Sequence, residues 1–311
     1  MERFDGSLHL YRHRPFDAVP AGLRRRVFGV DYLQLRGRQS GDLYITRHGW
    51  PALESIVPSQ WFTGDRLSKV GRQLAGATGA VYRVPVPHRV CPRFALVAKF
   101  SRFAQDALVA MGPDAVADYG ERDRVAALEF LSPFAEVAHL ERLRAAAGAR
   151  IPTKAPLAIY SPATRYLDWE LGRNGHSRWR YDRELAGDQA TQPEGARVRY
   201  DWERLYILLY RWMDGMDAEA AEQQGYVTEA ELAALTHGAR DNLRALGWDV
   251  LDHKPRHIIV RAAAEPGRLV HRAGRVLWGL VDYELLVPYA ETGRGPRAEG
   301  GALGPRPLAL R

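Results

Sequence analysis

The chain has 311 residues, 46% of them hydrophobic and 26% charged, which is ample for two domains or two lobes around a sizeable core. A single cysteine, Cys91, excludes an internal disulfide, and no apolar run has the length of a transmembrane helix. The formal charge of +7 permits an acidic partner such as a nucleotide, nucleic acid or anionic lipid without demanding one.

The opening "MERFDGSLHL" is no signal peptide, and with one thiol a cytoplasmic location is expected. Residues 1–66 mix strand-like pieces ("DYLQL", "DLYITRHG") with turn signals and read as an N-terminal extension. From residue 67 comes a β-rich region. "VGRQLAGATGAVYRVPV" has a small glycine-bearing turn between extended segments, and "FALVAKF" reads as a buried strand. Residues 104–112 and 122–148 read as helical. In the second, "SPFAEVAHLERLRAAAG" has a Ser cap, a Pro in the first turn, and Phe134, Val137, Leu140, Leu143 and Ala147 at helical spacing.

Strand-like "APLAIY" follows, then an insert around 167–200 that interleaves Arg with Trp and Tyr. Such a surface can stack on bases and hold phosphates, although its alternation also fits an amphipathic hairpin over a sheet, the preferred reading. "RLYILLYRWM" reads as a buried strand. "VTEAELAALTHGARDNLRALG" is a helix with a Thr cap, an acidic first turn and a terminating Gly247. Pro255 keeps "DHKPRH" on a loop before the strand "IIV", and "RVLWGLVDYELL" reads as a last strand. Residues 291–311 are Gly/Pro/Arg-rich and read as a disordered tail.

Of the 44 basic residues only four are lysine, Lys69, Lys99, Lys154 and Lys254, and the rest are arginine. A bias that strong replaces interchangeable lysines. The survivors therefore mark positions where a compact point charge is needed rather than a planar fork.

The order of these features resembles the protein kinase-like superfamily over residues 67–285. In "LAGATGAVY", Gly76, Gly79 and Val81 match the later part of the family's glycine-rich loop, with Leu74 in place of its first glycine. "ALVAKF" resembles the third-strand V-A-I-K. "DHKPRH" is similar to D-x-K-P-x-N of the catalytic loop, and "GLVDYE" to the metal-binding D-F-G.

The resemblance implies an α+β, bilobal protein kinase-like fold: an antiparallel-sheet N-lobe over 67–212 and a minimal helical C-lobe over 213–290. It implies ATP with Mg²⁺ or Mn²⁺ as cofactors. Lys99 would hold the α- and β-phosphates with Glu136 as its partner, Glu141 and Glu129 being alternatives. Tyr210, Trp212 and Met213 would lie at the hinge and adenine, and Asp217 at the ribose. Asp252 would accept the proton of the attacking hydroxyl, Lys254 would neutralise the transferring γ-phosphoryl, and His257 and Asp282 would hold the metal.

Structural readings stand beside these roles. Lys99 could snorkel from a strand end, Glu136 could be a solvated helix charge, and Asp252, Lys254 and Asp282 could be turn residues. His253 and His257 have the spacing of a zinc pair, but Pro255 prevents the helix such a pair needs. Imidazole at position 257 suits Mn²⁺ better than Mg²⁺. With Val250 and Leu251 before Asp252, control by an activation-loop phosphate is not expected. A short C-lobe points away from peptide docking. Three functions follow: an atypical ATP-dependent kinase with an unidentified small-molecule or protein acceptor, a nucleotide-binding pseudokinase acting as a regulatory or scaffold module, or a basic nucleic-acid-binding protein.

Overall fold

Residues 24–45 form two consecutive hairpins that continue into the main sheet. β1 (Arg24–Val27), β2 (Val30–Gly37) and β3 (Gly41–Ile45) pair antiparallel in order. β3 then pairs with a strand more than a hundred residues later. Gly41 makes that approach possible. Its φ is +85°, and a Cβ there would lie 2.1 Å from the Ser161 carbonyl oxygen. The computed structural model describes residues 8–37, 39–74, 79–106, 129–148, 150–265, 267–272 and 274–289.

The described residues divide into two compact units, one drawn from residues 8–106, 129–141 and 154–212, the other from 142–153 and 213–289. In the first, three short helices, α1 (Leu53–Ile56), α2 (Pro58–Trp61) and α3 (Arg66–Val70), lead to β4 (Arg72–Gln73). β5 (Val81–Pro85), β6 (Ala95–Phe100), helix α4 (Pro133–Ala147, of which 133–141 belong to this unit), β7 (Pro156–Ser161), helix α5 (Arg178–Asp188) and β8 (Ile207–Arg211) follow. Eight strands make one antiparallel sheet in the order β1-β2-β3-β7-β8-β6-β5-β4.

Period-two alternation gives this sheet two apolar faces. Leu33, Leu43, Leu96 and Leu209 on one face share a buried cluster with Phe16, Trp50, Ile56 and Trp61 of the first 66 residues. On the other face, Tyr32 and Tyr44 meet Phe134 of α4 edge-on at 5.5 and 5.1 Å between ring centroids.

The second unit holds β9 (Met216–Asp217), α6 (Ala218–Gln223), α7 (Glu229–Arg244), β10 (Trp248–Val250) and β11 (Ile258–Val260). β12 (His271–Arg272), β13 (Arg275–Val276), β14 (Trp278–Leu280) and β15 (Leu286–Pro288) complete it. These strands form three small ladders, β10–β15, β14–β11–β9 and β12–β13. Helix α7 begins with a reciprocal capping box. The Glu231 N–H donates to the Thr228 hydroxyl at 3.2 Å, and the Thr228 N–H donates to the Glu231 carboxylate at 2.8 Å. Arg240 and Arg244, one turn apart, both reach the fully buried Asp249 of β10, at 3.2 and 2.9 Å, and so fasten helix to strand.

The architecture is α+β. Several expectations change in detail. Residues 1–66 are no separate extension, because they supply three strands and one wall of the core. The insert around 167–200 is not a hairpin. It contains α5, whose Tyr181 and Leu185, one turn apart, are its buried residues. Of the helix expected over 122–148, residues 122–128 lie outside the described residues, 129–132 are not helical and α4 begins at Pro133; residues 104–106 are not helical. "RVLWGLVDYELL" breaks into β13, β14 and β15 around a turn at 281–285. The expected helix at 107–112 and the expected tail at 291–311 lie outside the described residues. No helix among the described residues is long and apolar enough to cross a membrane.

Candidate functional site

The candidate residues fall into two clusters, one in each unit. In the first, β6 is buried along nearly its whole length, and Lys99 is its penultimate residue. The antiparallel register sets Val81 of β5 opposite Lys99 and Tyr210 of β8 opposite Val97, so all three project from one face of the sheet. Helix α4 lies on that face. Its first turn is capped by Ser132, whose hydroxyl accepts from the Ala135 N–H at 3.2 Å, and this start places Glu136 inward.

The Lys99 ammonium meets Glu136 Oε1 at 3.0 Å, and the Tyr210 hydroxyl donates to the same oxygen at 2.7 Å. Lys99 is 7% exposed and Glu136 only 1%. A pair this buried pays a large desolvation cost, which the hydrogen bond from Tyr210 helps to offset. The two alternative partners are engaged elsewhere: Glu141 meets His48 at 3.2 Å, and Glu129 binds Arg180 and Ser177.

Tyr210 therefore does something the sequence reading did not assign. It was expected near the gatekeeper position at the hinge, and in addition its hydroxyl holds the glutamate that pairs with Lys99. Trp212 is half-buried under the Arg83 guanidinium, 5.0 Å from the ring centroid. Gly79 lies 3.3 Å, measured from an ideal Cβ, from the flexible Arg102 side chain. Gly76 lies outside the described residues.

The second cluster is set by strand pairing. β11 pairs antiparallel with β14, with Ile258 opposite Leu280, so the residue before β11 and the residues after β14 emerge at the same end. The Val281 N–H donates to the His257 carbonyl at 2.9 Å. One residue further, Asp282 brings its carboxylate to 3.6 Å from His257 Nε2. Asp282 has φ of +69°, a left-handed conformation uncommon outside glycine. Such an outlier clusters at functional sites when the surrounding structure over-determines it.

On the loop between β10 and β11, the Lys254 ammonium lies 2.6 Å from Asp252 Oδ2, and both side chains keep partial access to solvent. The loop is tied down at both ends. The Leu251 N–H donates to the Leu285 carbonyl at 3.1 Å, and His253 Nε2 lies 3.0 Å from the Thr236 carbonyl of α7. Burial first, and then the neighbouring charges of His257 and Arg240, push the His253 imidazole down to about 4 against the partial support of the Thr236 carbonyl. It is a neutral anchor.

Two further expectations are placed differently. Asp217 accepts from the Ala220 N–H at 2.8 Å and caps α6, which commits the carboxylate expected at the ribose to a helix terminus. Met213 packs on β14, where a Cβ at Gly279 would lie 2.6 Å from its sulfur, so Gly279 is required for that contact.

Among the described residues no three His, Cys, Asp or Glu side chains converge as a metal cage. His257 and Asp282 form a two-donor set of one nitrogen and one oxygen. That set suits a divalent ion completed by phosphate oxygens, and the nitrogen favours Mn²⁺ over Mg²⁺. No protein-family model matches the chain, and no curated protein matches it.

Proposed function

We propose that the chain is an ATP-dependent phosphotransferase. The observation that carries this reading is the buried Lys99–Glu136 pair with the Tyr210 hydroxyl on the same carboxylate oxygen. A lysine so oriented presents a compact charge to the α- and β-phosphates. Asp252 takes the proton of the acceptor hydroxyl as its oxygen bonds to the γ-phosphorus and the bond to the bridging oxygen breaks. Lys254, 2.6 Å from Asp252, orients that carboxylate and offsets charge on the moving phosphoryl. A divalent cation held by His257 and Asp282 would supply further charge neutralisation on the phosphates.

The test is nucleotide binding by thermal shift and calorimetry with Mg²⁺ or Mn²⁺, followed by turnover of γ-labelled ATP. Lys99→Ala should weaken nucleotide binding by about 1.5–3 kcal/mol, the worth of a charge-assisted contact. Lys99→Arg, which keeps the charge beside Glu136, separates that loss from misfolding and should also bind more weakly. Asp252→Ala should leave binding nearly intact and lower turnover by about 10²–10⁴-fold. Binding without turnover by the native chain would favour the regulatory, nucleotide-binding reading, which the imidazole at position 257 supports. Absence of nucleotide binding with both metals sinks both readings.

A further inference from the structure

Exposed aromatic surface gathers in the first unit, on residues other than those around Lys99. Among the described residues six large apolar side chains are exposed, and Leu167, Trp169 and Trp179 are three of them. Trp169, 76% exposed, lines a groove of about 790 Å³ between the β2–β3 hairpin, the segment after β7 and residues 197–206. Its backbone is fixed by a tight turn. The Leu167 N–H donates to the Glu170 carboxylate at 2.7 Å, and the Gly172 N–H to the Trp169 carbonyl at 3.2 Å. The indole is thus held out to solvent by an ordered turn, not by a loose end.

Six arginines line the same groove: Arg36, Arg165, Arg178, Arg197, Arg199 and Arg204. The groove also carries four carboxylates, three of them already neutralised. Arg204 holds Asp42 at 2.7 Å, and Arg165 holds Asp201 at 3.3 Å together with Glu203. Among the described residues the Arg36 guanidinium has no hydrogen bond or ion pair, and the Arg197 guanidinium donates only to the carbonyls of Gln192 and Ala190. Arg36 adjoins a second arginine: partial burial and then the charge of Arg36 hold the Arg25 guanidinium below its usual range. Asp168, beside Trp169, is the one groove carboxylate outside these pairs.

We infer that this groove binds single-stranded nucleic acid, with Trp169 as a stacking platform for one base and Arg36 and Arg197 on the phosphate backbone. A patch that served acidic protein segments would gain nothing from an exposed indole among its arginines, whereas every base has a face that stacks. A duplex keeps its bases stacked on one another and offers the indole none. Asp168, which among the described residues has only the charge of Arg173 near it and no hydrogen-bonded cation in the groove, can accept from base amino groups or ribose 2′-hydroxyls. The inference is independent of the phosphotransferase reading.

The test uses the full chain and fluorescence anisotropy of a labelled mixed-sequence 12-mer, as single-stranded RNA, single-stranded DNA and duplex, with polyglutamate as competitor. Single strands should bind more tightly than duplex and resist polyglutamate. Trp169→Ala should weaken binding about tenfold, the lower end of what losing one base–aromatic stack does. Trp179→Ala, which removes another exposed indole (62% against 76%) outside the groove lining, should leave binding unchanged. Arg36→Ala should reduce the slope of log affinity against log salt by about 0.7, one phosphate contact on a single strand. The inference fails if nothing binds at low salt, if duplex or polyglutamate binds as well as single strands, or if the two tryptophan variants behave alike.

Discussion

Glu136 Oε1 accepts from both the Lys99 ammonium and the Tyr210 hydroxyl, so the orientation of the glutamate depends on a residue that carries no charge. Tyr210→Phe keeps the ring and its packing and removes only that donor. It should destabilise the fold by about 1.5–3 kcal/mol in urea unfolding, as for a buried hydrogen bond to a charged group. A double-mutant cycle with Glu136→Gln should show coupling well above the scatter of independent sites, and additivity would mean that the hydroxyl does not hold the glutamate. The scarcity of lysine singled out Lys99, and the Lys99–Glu136 pair was expected only from the resemblance of "ALVAKF" and the helix after it to a known family. The role of Tyr210 was not. It follows from β8 pairing with β6 so that Tyr210 falls opposite Val97, a register that no local pattern specifies.

At the scale of elements, legibility followed the locality of the signal. Helix α7 could be read from Thr228 and Glu231 three residues apart, because a capping box is complete within one turn. Helix α5 could not. Its alternating Arg and aromatic residues imitate the period of a strand, and only the buried Tyr181 and Leu185 disclose the helical one. The loop carrying Asp252 and Lys254 was placed correctly by Pro255, but its attachment to α7 through His253 and Thr236 spans seventeen positions and left no local trace. That attachment has a pH dependence. The folded-state pKa of His253 is pushed down to about 4 from an unfolded value near 6.5, so the unfolded chain binds the extra proton between those values. The stability from neutral His253 is therefore complete above about pH 6.5 and is lost as pH falls towards 4. By pH 5 roughly 2 kcal/mol should be gone. Urea unfolding at pH 7.5 and pH 5 measures this, and His253→Gln, which cannot titrate, should show a smaller difference. An equal pH dependence in both proteins would place the sensitive group elsewhere.

At the scale of the whole molecule, the boundary that the sequence suggested near residue 66 reflects where a family resemblance begins, not where a folding unit begins. Of the strands in residues 24–45, β2 and β3 were visible as "DYLQL" and "DLYITRHG" while β1 was not, and nothing local announced that β3 would pair with β7. That pairing makes β7 an interior strand, and all six of its residues, Pro156–Ser161, are buried. A chain beginning at residue 67 would strip away three strands and turn β7 into a long, flat, apolar margin with a row of unsatisfied amides and carbonyls. Such a margin templates the addition of another chain. The shortened protein should therefore elute from size-exclusion chromatography as larger species than the full chain run beside it, or precipitate, at micromolar concentration. A monodisperse 67–311 fragment of unchanged thermal stability would show the margin to be harmless. The first hairpins thus act as a built-in guard against self-association, occupying the place that a sister molecule would otherwise take.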